Sequence, residues 1–144
     1  MGTLVNIVIA DEDEAEAIGE SNQPVDEWVG LEARDLDKSK FITLHCLLTG
    51  DGIEDAIYGY EPLYFVEDGP QVLRIPDELT ARLARYDDEA LEEVVQELAA
   101  TEDFELSDLA EEDIHAFMEE FAELARKADD EEKTLFIWMH PLLT

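Results

Sequence analysis

The run from Phe41 to Leu48, FITLHCLL, constrains this chain more than any other. It is apolar almost throughout, and both of its ends are written in the sequence. Phe41, Leu44 and Leu48 recur at helical spacing, Ile42 and Cys46 form a second row, and Leu47 fills between the two. A stripe that wide predicts a helix covered on most of its sides. Asp37 stands where an N-cap carboxylate takes up the first free backbone N–H groups. Gly50 follows the last apolar residue, at the C′ position where a left-handed backbone suits glycine. After the break at Thr49-Gly50-Asp51-Gly52, Ile53 to Tyr58 predicts a second short helix that stops at Gly59.

The remaining segments supply the core this helix must sink into. Thr3 to Ile9 is β-branched and predicts an internal strand, and Leu135 to Met139, LFIWM, predicts a strand in the middle of a sheet. Tyr60 to Val66 and Gln71 to Ile75 flank Glu67-Asp68-Gly69-Pro70 as a hairpin, with Pro62 placing the first run at an edge. Asp11 and Glu14 form a capping box ahead of a brief helix through Gly19, and Asp26 to Leu31 reads as a helical turn anchored by Trp28. Pro76 heads a helix with Leu79 and Leu83 inward, and Asp87 or Asp88 caps the next, with Leu91, Val94, Val95 and Leu98 inward. Thr101 to Leu106 connects to a final helix that starts at Ser107 or Asp108 and carries Ile114, Phe117, Met118, Phe121, Leu124 and Ala125 on one side. Arg126 and Lys127 are placed for the negative end of that helix's dipole. At 144 residues the expectation is one α+β domain over residues 1–144, a small, mainly antiparallel sheet packed with about five or six helices.

The central segment also resembles a known family. Leu36, Asp37, Lys38, Leu44, His45, Leu48, Thr49 and Gly50, followed by Ala56, Ile57 and Gly59, match the pattern of the YfbM-like family of small bacterial proteins, a domain of unknown function. Relatives often carry Trp at or beside Phe41, a difference that touches packing. The resemblance implies the fold and supplies no activity, because none is established for the family.

Charge restricts the partners. Thirty-nine acidic residues against nine basic ones give a net charge of −30, yet 46% of the chain is hydrophobic, which rules out a disordered acidic tail. Such a charge disfavours nucleic acid and anionic membrane as partners and favours a basic protein. No apolar run approaches the ~18–20 residues of a membrane span, and no signal peptide is legible. The one cysteine, Cys46, reads as a buried thiol in a reducing cytoplasm.

Between Arg85 and Arg126 lie sixteen acidic residues and no lysine or arginine. Glu92, Glu93, Glu97, Glu105, Glu111, Glu112, Glu119, Glu120 and Glu123 fall mainly off the apolar stripes, as either a solvated face or a docking surface. Arg74, Arg82 and Arg85 read as salt-bridge partners of neighbouring acids. No zinc-protease, Cys-x-x-Cys, phosphate-loop or Gly-x-Ser-x-Gly motif is present, so no catalytic residue, metal site or cofactor is expected. His45 lacks a ligand partner at helical spacing and reads as a structural imidazole bonded to backbone or to Asp or Glu. The functional expectation is a non-enzymatic acidic binding protein, an inhibitor of the immunity or antitoxin type docking on a basic partner such as a toxin. The alternatives are a small-molecule binder or enzyme centred on Asp37, Lys38, His45 and Thr49, and a halophile housekeeping domain.

Overall fold

Five strands form one sheet in the order β2-β1-β5-β4-β3, with every neighbouring pair antiparallel. They are β1 (Leu4–Ala10), β2 (Gly30–Arg34), β3 (Pro62–Phe65), β4 (Gln71–Arg74) and β5 (Thr134–His140). The structure, a computed structural model, describes residues 4–21, 23–34, 38–58, 60, 62–67, 69–105 and 110–140. β1 and β5 pair along their whole length, from Leu4 opposite His140 to Ala10 opposite Thr134. All of β1 and all but the last residue of β5 are buried, which is why both read as largely apolar runs, broken in β1 by Asn6 alone.

Helices cover both faces. On one face α2 (Lys38–Thr49), α4 (Asp77–Arg85), α5 (Asp88–Ala99) and α7 (Glu111–Asp130) pack over Val5, Ile7, Leu73 and Ile137. Phe41 of α2 meets Phe121 of α7 edge to face, ring centroids 6.4 Å apart. On the other face α1 (Ala15–Glu20) and a 3-10 turn at Pro24–Asp26 cover Leu4, Val8, Phe136 and Trp138. The buried Asn6 side chain accepts from the Val25 N–H at 3.1 Å and ties that turn to β1. Gly19 is required where β3 crosses α1, since a Cβ there would lie 2.2 Å from Cδ1 of Tyr64. The architecture is α+β, as the pattern of segments leads one to expect, with α3 (Ile53–Tyr58) and the one-turn α6 (Glu102–Glu105) as smaller pieces.

Several local expectations need correction. Asp26 to Leu31 is no helical turn: the 3-10 turn ends at Asp26, and Gly30–Arg34 is a strand paired with β1. The chain there is Gly-Leu-Glu-Ala-Arg, and helix propensity yields to the ladder that β1 offers. Residues 102–105 are helical where a plain connection is expected, with Phe104 buried. The last helix begins at Glu111, where Asp113 accepts from the Ala110 N–H at 3.2 Å. Ser107 and Asp108 lie outside the described residues. The α2 helix buries Phe41, Leu44, His45 and Leu48 and leaves Ile42, Cys46 and Leu47 half-covered, so it sinks on one side. Cys46 is accordingly a half-buried free thiol. Finally, Arg126 does not serve its own helix end. Its Nε donates to Ala84 O at 3.3 Å and its Nη2 to Tyr86 O, satisfying carbonyls at the C-terminal end of α4.

The C-terminal end of α2 and the edge strand of the hairpin behave as their residues dictate. Gly50 adopts φ +81° and its N–H donates to Cys46 O at 2.9 Å. Asp37, Gly59 and Asp68 lie outside the described residues. Pro62 begins the edge strand β3, whose register against β4 slips between Pro62 and Tyr64.

Candidate functional site

His45 sits in the third turn of α2, 4% exposed, and both ring nitrogens are engaged. Nε2 lies 2.8 Å from Asp51 Oδ2, and Nδ1 lies 3.3 Å from the Tyr60 hydroxyl. Asp51 is acceptor-only when ionised, so Nε2 carries the proton and the Tyr60 O–H donates to Nδ1. Gly50 makes the reversal that brings Asp51 back, and Thr49 fixes it: its hydroxyl donates to His45 O at 2.8 Å and accepts from the Asp51 N–H at 3.2 Å. The His45 hydrogen bond holds the Asp51 carboxyl below the ordinary aspartate range, with Thr49 adding to it. Burial, helped by nearby Cys46, pushes the Tyr60 phenol well above its ordinary value, so it stays a neutral donor. Burial and the Asp51 charge likewise push the Cys46 thiol up, the opposite of what a nucleophilic thiol needs. The corner is a closed latch joining α2 to the chain around α3.

Of the four residues expected to form a pocket, the structure brings together His45 and Thr49. Lys38 and Thr49 are the two ends of α2, about 16 Å apart at 1.5 Å per residue. Asp37 lies outside the described residues. The two partners that do complete the corner, Asp51 and Tyr60, stand six and fifteen positions from His45 and so escape any test of helical spacing.

The acidic side chains are organised by α7. Its buried residues Ile114, Met118, Phe121 and Ala125 face the core, which turns Glu112, Glu119, Glu123 and Asp130 outward along one ridge. On α5 the same logic buries Leu91, Val94, Val95 and Leu98 and exposes Glu92, Glu93 and Glu97. Glu105 of α6, Glu111 and Glu120 are exposed as well. Among the described residues only Glu119 of these nine reaches a basic side chain, His115 at 3.5 Å. By contrast Arg74 pairs with Glu12 at 2.8 Å and Asp77 at 3.3 Å, and Arg82 with Glu78 at 3.9 Å.

Two concavities flank the ridge. Between α5 and α7 a shallow hollow of about 390 Å³ is lined by Glu92, Val95, Glu111, Glu112 and His115. On the opposite flank a groove of about 860 Å³ runs between α7 and β2. Val29, Leu31 and Leu124 contribute apolar surface there, and Glu32, Glu120, Glu123, Asp130 and Glu131 surround it with carboxylates, against the single cation Lys127 among the described residues. Sequence reasoning misses this groove because it does not recognise β2. Among the described residues no three His, Cys, Asp or Glu side chains are grouped as a metal ion needs, and no helix is long and apolar enough to cross a membrane.

Among solved structures the chain is similar to YfbM from Escherichia coli, a protein of unknown function. The two are 18% identical, the match covers 94% of this chain and 99% of that one, and the TM-score is 0.44. That protein gives its name to the family which the α2 segment resembles. No family model matches the chain, and no curated protein matches it.

Proposed function

We propose that this chain is a non-enzymatic binding protein that docks its α5–α7 face on a basic surface of a partner protein, as an inhibitor of the immunity or antitoxin type covers a basic active site. One observation carries the reading: the nine carboxylates from Glu92 to Glu123 are exposed on neighbouring helices, and eight of them make no salt bridge among the described residues, with Lys127 the one lysine or arginine beside them in the groove. Charges left unpaired on a rigid helical layer raise the encounter rate with an opposite surface and set its orientation. The same field repels nucleic acid and anionic lipid.

The test compares the wild type with Glu112→Gln/Glu119→Gln/Glu120→Gln/Glu123→Gln, each immobilised and exposed to extract of the native host, then eluted along a salt gradient. A protein of net positive charge should be retained by the wild type, released as ionic strength rises, and lost from the variant. Retention indifferent to salt, or no basic protein retained, overturns the proposal.

A further inference from the structure

The β2–α7 groove differs from the rest of the acidic face in having a floor. Val29, 53% exposed, contributes apolar surface beside Leu31 and Leu124, while Glu32, Glu120, Glu123, Asp130 and Glu131 stand around it. A purely solvated charge surface needs no such apolar strip. One wall is also an edge strand: β2 pairs with β1 alone among the described residues, so its alternate N–H and C=O groups point away from the ladder. The two walls are of similar length. The five residues of β2 span about 13 Å at 3.3 Å per step, and α7 from Glu120 to Asp130 rises about 15 Å.

We infer that this groove receives an extended segment of the basic partner, added as a strand beside β2, with an apolar side chain over Val29 and Leu31 and a lysine or arginine to either side. The inference rests on the docking reading above and names its point of attachment. Charge selects the occupant. A second copy of this chain, at a net charge of −30, would bring like charge against the five carboxylates, whereas a cationic strand of alternating polarity meets them while its apolar positions cover the floor. A segment added this way draws its affinity from main-chain hydrogen bonds and its specificity from alternate side chains.

The probe is a short labelled peptide alternating lysine and valine, compared with an oligolysine of equal charge. Two double variants remove the same charge: Glu120→Gln/Glu123→Gln in the groove and Glu92→Gln/Glu93→Gln away from it. All four positions are exposed, so both variants are expected to fold, and circular dichroism confirms it. The alternating peptide should bind at least about tenfold more tightly than oligolysine. The groove variant should lose about tenfold and the distant one less than about threefold, the scale of two partly desolvated charge pairs. Amides of residues 30–34 should gain protection from hydrogen exchange, and methylation of the peptide's alternate backbone nitrogens should abolish binding. Equal losses from both variants, or oligolysine bound as tightly with β2 unprotected, overturn the groove and leave the broad acidic docking face standing. No binding of either peptide at low salt removes both.

Discussion

Replacing Tyr60 by phenylalanine isolates the latch between α2 and α3. Phenylalanine keeps the ring, its edge-on approach to His45 at 5.5 Å and 87°, and the core volume, so no cavity opens. What disappears is the hydroxyl 3.3 Å from His45 Nδ1, which then has no partner among the described residues while the imidazole stays 4% exposed. A buried acceptor left without a donor costs about 1–3 kcal/mol, and a bond this long places the loss in the lower half, about 1–2 kcal/mol. For a chain of 144 residues that lowers Tm by about 3–6 °C. His45→Ala should cost more, since it also leaves a cavity, and the double variant should be less destabilised than the sum by about 1 kcal/mol. Thermal and urea unfolding followed by far-ultraviolet circular dichroism read all three. Tyr60→Phe as stable as the wild type, or strictly additive costs, would refute the view that this pair secures the corner.

Asp51→Asn should show the same corner through pH. A carboxyl held below its ordinary range adds stability that is complete above the unfolded value, near 3.9, and disappears as pH falls through the lower folded value. The gap in Tm between wild type and Asp51→Asn should therefore be constant above about pH 5 and close in stronger acid. Arg126→Met keeps the aliphatic stem but removes donors to Ala84 O and Tyr86 O, and should cost about 1–3 kcal/mol, read as a lower urea midpoint. Gly19→Ala sets a helix gain of about 1 kcal/mol against a Cβ 2.2 Å from the Tyr64 ring; the clash should win, and Tm should fall. Raising sodium chloride from 0.1 to about 1 M shortens the screening length from about 10 to 3 Å and should raise Tm by several degrees; a flat response contradicts self-repulsion at −30.

Elements whose own residues decide them are legible in the chain. β1 and β5 are apolar on both faces, the stripes of α5 and α7 repeat cleanly, and Gly50 marks the end of α2 by a backbone angle that glycine tolerates. What stays hidden depends on distant partners. After Gly30, β2 consists of residues that favour helix, and pairing with β1 makes it a strand. Arg126 looks like a cap for its own helix, yet α4 ends beside it in space, some forty positions away in the chain. His45 could be read as a structural imidazole bonded to an acid, since buried polar groups find partners, but the identities of Asp51 and Tyr60 needed the fold. The acidic face was visible as composition, while its division into a hollow and a floored groove follows from the placement of α7 against β2.

The strand latest in chain order, β5, occupies the middle of the sheet. While the polypeptide is being made, β1 with β2 and β4 with β3 can each pair, but no strand pairing joins the two halves of the sheet until Thr134–His140 leaves the ribosome. Leu4 meets a residue 136 positions downstream, so folding waits on a distant closure and a nascent chain carries two sticky half-sheets in the meantime. Unpaired strand edges of this kind favour association between unfinished copies, and a net charge of −30 opposes it by mutual repulsion.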